Sequence, residues 1–229
     1  LSVPGNFFVS INTHFCNQLI SNMEKLNLTR QFRSYFTAGT QPELVHIEAA
    51  QFLSVTGKGD PSGAAFKKHI EALYATAYTL KFTAKASNRD FVVSKLEGLW
   101  WFDENRFSVH SASEASLKVP RNEWEYCLLI RLPGFVTKKE VQEAQEIVLV
   151  KKQIIGAQYL SLFEMEEGLC VQLLHLGPFD REPESLEKIT VFMNERKLTR
   201  NGVHHEIYLS DFNRTDPEKL KTILREPVK

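Results

Sequence analysis

The chain has 229 residues, with 28 Lys+Arg against 28 Asp+Glu and a formal net charge of zero; 43% of residues are hydrophobic and 24% charged. This length holds one large domain or two small ones. The charge balance excludes a phosphate-neutralising nucleic-acid binder and a polybasic membrane-surface protein, and the composition excludes a disordered chain. Aromatic residues stand out, with 16 Phe, 6 Tyr and 3 Trp.

Residues 1–22 contain no Lys, Arg, Asp or Glu, and charge begins at Met23-Glu24-Lys25. A secretory leader would carry a basic start. Residues 1–22 therefore read as a non-native or disordered extension, 23–40 as a lead-in segment, and 41–229 as the folded domain. No run reaches the ~18 apolar residues that span a bilayer. The three cysteines, Cys16, Cys127 and Cys170, are far apart and form no CxxC pair. They point to neither a disulfide framework nor a zinc knuckle, and fit a reduced, cytoplasmic setting.

The first strand spans 45–55 and ends at Gly57-Lys58-Gly59-Asp60-Pro61, with Asp60 as expected N-cap of a helix. Phe66, Ile70, Leu73, Tyr74, Ala77 and Leu80 mark one helical face. Strands are expected at 91–93, 96–102 and 124–132, separated by a Ser-rich loop over 103–123 and stopped by Pro133-Gly134. A charged helix follows over 138–151. The plan then repeats: a strand at 168–176, a helix carrying Leu186, Ile189, Phe192 and Met193, and strands at 203–209 and 220–225. Gly57-x-x-Asp60 matches Gly177-x-x-Asp180 in the same context, which points to an internal duplication. The expected fold class is α+β: two β-α-β-β units form an antiparallel sheet with helices on one side and a concave central groove.

Alternation in His204-His205-Glu206-Ile207-Tyr208-Leu209 sets His205, Ile207 and Leu209 on one face, expected to meet the helices. Glu206 and Tyr208 then face the groove. A mid-strand carboxylate is costly unless paired or wet, so Glu206 is a candidate base or counter-charge. The bland reading is a solvent-exposed Glu. Trp100 and Trp101 lie on one strand, and Trp124 and Tyr126 share a face of the next. Core packing accounts for one of Trp100 and Trp101, since neighbours on a strand point oppositely. An aromatic wall otherwise suits a flat or cationic ligand. Glu167 is placed at the groove rim. Adjacent His204 and His205 cannot both reach one metal from a regular strand, so no metal is assigned. A Cys-His nucleophile using Cys127 or Cys170 with His175 ranks lower.

Four stretches carry a resemblance: Glu97-Gly98-Leu99-Trp100-Trp101; Trp124-x-Tyr126-x-Leu128-x-Ile130-Arg131-x-Pro133; Glu167-Gly168-x-Cys170-x-Gln172-x-x-His175-x-Gly177-Pro178-Phe179-Asp180-x-Glu182-Pro183; and His205-Glu206-Ile207-Tyr208-Leu209-Ser210-Asp211. With the tail 220–228, they resemble the GyrI-like small-molecule-binding domain from about residue 41 to the end. The resemblance implies a duplicated fold with a central groove. It is strongest to stand-alone chains with the Trp-Trp motif, which include cyclopropanoid cyclohydrolases. For those it implies an aromatic cage that opens the cyclopropane of DNA-alkylating natural products, with no cofactor and a hydrophobic aromatic small molecule as partner. Glu206 matches the family's central acid. Catalytic roles are assigned to Glu206 and Tyr208, and ligand contacts to Trp101, Trp124, Tyr126, Trp100 and Glu167. The other readings are a non-catalytic drug-binding module and a protein inhibitor acting through a surface patch.

Overall fold

The computed structural model describes residues 25–107, 109 and 112–229. The 1–22 extension lies outside them. Eight strands form one sheet: β1 (Glu43–Ile47), β2 (Ala50–Lys58), β3 (Leu96–Trp101), β4 (Glu125–Leu132), β5 (Ser161–Met165), β6 (Gly168–Leu176), β7 (His204–Tyr208) and β8 (Lys221–Pro227). Their order is β1-β6-β8-β7-β3-β4-β2-β5. Every neighbouring pair is antiparallel. Among the described residues five helices accompany it: α1 (Leu28–Gln31), α2 (Ala64–Ala86), α3 (Ala112–Lys118), α4 (Lys138–Lys152) and α5 (Glu182–Glu195).

The expected α+β duplication is present, with one exchange. The expected strand at 45–55 is two strands, and they do not pair with each other. β1 crosses to β6 in the second half, and β5 crosses back to β2 in the first. The two repeats therefore clasp each other by their edge strands. The repeated turn is in a different register from the sequence match. Gly59 and Gly177 are the equivalent pair, at φ +121° and +119°, a region that favours glycine. Each donates its N–H across the turn, to Trp124 O and to Leu220 O. Gly57 serves another purpose: a Cβ there would lie 2.5 Å from the Tyr126 ring. Asp60 accepts from Ser62, and the N-cap of α2 is Gly63.

One row of cross-strand partners fixes the faces: Val55, Leu128, Gly98, Glu206, Leu224 and Leu173. Directly paired residues point the same way. Val55 and Leu128 pack beneath α2, and Leu224 and Leu173 beneath α5. Both helices thus sit on one face, and Glu206 lies on that face between them. This corrects the expectation that His205 and Ile207 meet the helices. They point to the far face, where Ile207, Ile223 and Leu129 pack with Tyr35 and Phe36. The groove lies between the helices, not behind them.

The far face is closed by residues 28–40 through buried charges. Arg225 donates Nη1 to Glu167 at 3.0 Å and Nη2 to the Tyr35 carbonyl at 2.8 Å. His205 bridges Glu167 and Glu97 at 2.9 and 3.1 Å, and the Tyr35 hydroxyl donates to Glu97. Arg131 and Arg225 both lie over the Tyr35 ring at 4.5 Å. Glu167 is therefore buried on the far face, away from the groove rim assigned to it. Burial alone would raise its pKa, but His205 and Arg225 outweigh that and hold it at about 2.

Removing one partner of such a buried network leaves the other charge uncompensated, at ~3–5 kcal/mol. Glu167→Gln should lose that much in denaturant unfolding, and a loss under ~1 kcal/mol would show that the network adds nothing. The parent's Glu167 contribution is complete above the ordinary carboxyl value of 4.5 and is lost as pH falls from there towards 2. Stability measured across that window should be flatter in Glu167→Gln than in the parent.

Candidate functional site

The centre of the helix-bearing face is a line of hydrogen bonds. Trp100 Nε1 donates to the Tyr208 hydroxyl at 3.0 Å, and that hydroxyl donates to Glu206 Oε2 at 2.6 Å. Glycine makes the line possible. Gly98 pairs with Glu206 across the β3–β7 ladder. A Cβ on it would lie 2.8 Å from Trp100 Nε1 and 3.0 Å from the Tyr208 oxygen. Burial and the Glu206 charge push the Tyr208 phenol well above 10, so it remains a protonated donor.

A second carboxyl faces Glu206. Glu182, at the start of α5, is buried, with Oε1 lacking a hydrogen-bond partner. Burial, then the charge of Glu206, raises its pKa well above the usual carboxylate range. Burial and the neighbouring charge thus favour the protonated form of Glu182, and carboxyls pushed apart in this way can divide acid and base roles. The Glu206 side chain retains 14% exposure.

Aromatic rings wall this pair. Phe66 of α2 stacks on Trp100 at 5.8 Å and meets Tyr126 edge-on at 4.9 Å. Trp124 lies against Trp100 at 6.5 Å and Phe102 at 5.1 Å. Tyr208, Phe179 and Phe212 form an edge-to-face trio at 5.8–6.0 Å. Beside Tyr208 opens a cleft of about 460 Å³, lined by Ile70, Tyr74 and Tyr78 of α2, Lys95 and Leu96, and residues 210–214. Its size suits a small organic ligand.

Of the residues singled out from sequence, Trp100, Trp124, Tyr126, Glu206 and Tyr208 gather on this face. Trp101 does not: it packs on the far face and donates Nε1 to Glu125 at 3.1 Å. Glu167 does not either. Tyr126 bonds His69 at 3.1 Å. Cys127 and Cys170 lie on the far face, where burial pushes the Cys170 thiol up to about 12. His175 points the other way, bonded to Ser185 and the Pro178 carbonyl, so no Cys-His nucleophile forms with it. Sequence reasoning missed Glu182, Phe66 and Phe179. Glu182 offered no signal of its own, since an acid in the first turn of a helix usually faces water. Among the described residues no group of three or more His, Cys, Asp or Glu is arranged to hold a metal, and no helix is long and apolar enough to cross a membrane.

No curated protein sequence matches the chain. Among solved structures, an uncharacterized conserved protein from Listeria innocua is similar at 34% identity and TM-score 0.80, over 90% of this chain and 100% of that one. A hydrolase from Listeria innocua is similar at 34% identity and TM-score 0.77, with the same coverage. The EcmrR C-terminal domain, at 11% identity and TM-score 0.51, over 82% of this chain and 97% of that one, shares the fold alone. A family model, the GyrI-like small molecule binding domain, matches residues 40–229. The chain belongs to the GyrI-like small-molecule-binding domain family.

Proposed function

We propose that the chain is a hydrolase that opens the cyclopropane ring of cyclopropanoid xenobiotics, aromatic DNA-alkylating natural products, in the cleft beside Tyr208. The observation that carries this reading is the pair of neighbouring carboxyls, Glu206 and a buried Glu182 pushed towards its protonated form, at an aromatic wall. The similar Listeria innocua protein named as a hydrolase supports it, as does the resemblance to cyclopropanoid cyclohydrolases.

The rings hold a flat, conjugated substrate by stacking and keep bulk water away. Glu206 takes a proton from a water molecule, whose oxygen bonds to a cyclopropane carbon. The ring C–C bond breaks, and its electron pair passes into the conjugated dienone. The dienone oxygen becomes a phenolate and takes the proton of Glu182. Proton transfer from Glu206 to Glu182 restores the pair, and the net change is addition of one water. Tyr208 already donates to Glu206. Its role is therefore to aim the base, and Glu182 is the proton donor.

A second reading is capture of aromatic cations without turnover. The same juxtaposition of ring faces and carboxyls favours it. Glu206→Gln separates the two. As a hydrolase the variant should lose ~10²-fold or more in turnover of a spirocyclopropane dienone, read as gain of one water by mass spectrometry. As a binder it should lose affinity for cationic but not neutral ligands. Turnover unchanged in Glu206→Gln would reject the base role.

Gly98→Ala tests the hydrogen-bond line. Its Cβ would push Trp100 from Tyr208, at a cost of ~1–3 kcal/mol of stability. We expect kcat to fall ~10-fold or more with KM within about twofold, because aim is lost and the ring walls remain. An unchanged kcat would show that the line does not aim Glu206.

A further inference from the structure

A second line of polar groups leaves Glu206 in the opposite direction and has no part in the steps above. His204 shares the face of Glu206 and Tyr208 on β7. Its Nδ1 lies 2.7 Å from Glu226 Oε1 on β8, and its Nε2 lies 3.3 Å from Glu206 Oε1. Glu226 Oε2 lies 3.4 Å from Nε of Arg200, whose side chain is 37% exposed. Negative and positive groups thus alternate from the carboxyl pair to the surface: Glu206, His204, Glu226, Arg200. Six buried side-chain polar atoms among the described residues lack a hydrogen-bond partner, and three are here: Glu182 Oε1, His204 Nε2 and Glu226 Oε2. That concentration marks unused bonding capacity beside the carboxyls, where a water would find both donor and acceptor.

We propose that His204, clamped by Glu226, is a positioning residue: it holds a positive charge against Glu206 and so divides the carboxyl pair into base and acid. This rests on reading Glu206 as the reacting carboxylate. An opposite charge at this range favours the ionised form of a carboxyl. His204 also favours the ionised form of Glu182, but no cation lies within ion-pair distance of Glu182 among the described residues, so the larger advantage falls on Glu206. The groups around His204 are Trp100, its partner across the ladder on β3, Glu206 on its own strand, Glu226 on β8, Arg200 before β7, and Glu182 of α5. Burial alone would keep the imidazole neutral, but the charges of Glu226 and Glu206 outweigh it and push its pKa up to about 10. The ring is then a cation throughout the neutral range. With Nδ1–H given to Glu226, Nε2–H is the donor left for the water that Glu206 activates.

The test is a carboxyl NMR titration on glutamate-labelled protein, with Glu182→Gln and Glu206→Gln used to assign the two groups. In the parent the two should titrate well apart. In Glu226→Gln, which keeps the shape and removes the clamp's charge, and in His204→Gln, they should approach by about one pH unit or more, about tenfold in relative proton affinity. In turnover of a spirocyclopropane dienone, the acid limb of the kcat profile should rise by the same interval, with KM within about twofold. If His204→Gln does not fold, Glu226→Gln carries the test. Unchanged titrations in a folded variant would overturn the proposal. So would lost turnover with an unmoved pH profile, which marks a merely structural role. A parent without turnover whose carboxyl separation still collapses in Glu226→Gln would support the role of His204 and remove the hydrolase reading.

Discussion

The pairing of β3 with β7 is the constraint on which the rest of the molecule depends. It joins the two repeats at the middle of the sheet, over five residue pairs from Leu96↔Tyr208 to Trp100↔His204. Because side chains alternate, a short strand supplies polar groups to both faces. His204, Glu206 and Tyr208 go to the helix side, while His205 goes to the far side. A one-residue slip would exchange them and place a buried acid against Ile223 and Leu129. The ladder therefore specifies the site and the opposing charge network in one step. Gly98 fits the same constraint, since any side chain opposite Glu206 would occupy the space of the Trp100–Tyr208 hydrogen bond.

The two polar networks are alike in burial and opposite in balance. On the far face, Glu97 and Glu167 are matched by His205 and Arg225, and most remaining bonds go to backbone or amide groups. A network satisfied to that degree rigidifies the element it holds, here residues 28–40. On the helix face, Glu182 and Glu206 are neighbours, and among the described residues His204 is the one cationic side chain within ion-pair distance of either. Unmatched carboxyls cost stability wherever they are buried, and such cost concentrates where chemistry or binding is performed. The well-matched face supplies the rigid backing against which the poorly matched one is held.

Several of these features were legible in the sequence. Much of the element order, the duplication and the shared face of Trp124, Tyr126, Glu206 and Tyr208 follow from alternation and turn residues, but the strand expected at 91–93 is only an isolated bridge at Phe91 and the loop expected at 103–123 carries α3. Which face meets the helices was not legible, because both faces of β7 and β3 are buried and apolar residues flank the polar ones on each side. Hydropathy marks an inside only when the other side is wet. β5 is five residues long and α3 is rich in Ser and Ala, so neither carries a strong period. Glu182 was hidden for another reason: an acid in the first turn of a helix complements the dipole and usually faces water. Only the meeting of α5 with β7 gives it a partner of like charge. The exchange of β1 and β5 between repeats also leaves no local trace, since each strand would satisfy its pattern in either half.

The duplication is closed unequally at its two ends, and that inequality sets the cleft at the Tyr208 end. Between β3 and β4 the chain runs through residues 102–124, and between β7 and β8 only through 209–220. The longer connection carries α3, which packs on α5, and a small core of Phe102, Ala115, Val119 and Trp124. It fills the groove at the Trp100 end. The shorter connection contributes Phe212 and leaves the groove open at the Tyr208 end, against Tyr74 and Tyr78. A symmetric pair of repeats would admit a ligand from either side and meet the carboxyls in either orientation. With the Trp100 end packed, the cleft lies beside Tyr208, bounded by α2 and by the 209–220 connection. The place of the cleft is then set by loop length, the property a duplicated fold alters with least cost to its core.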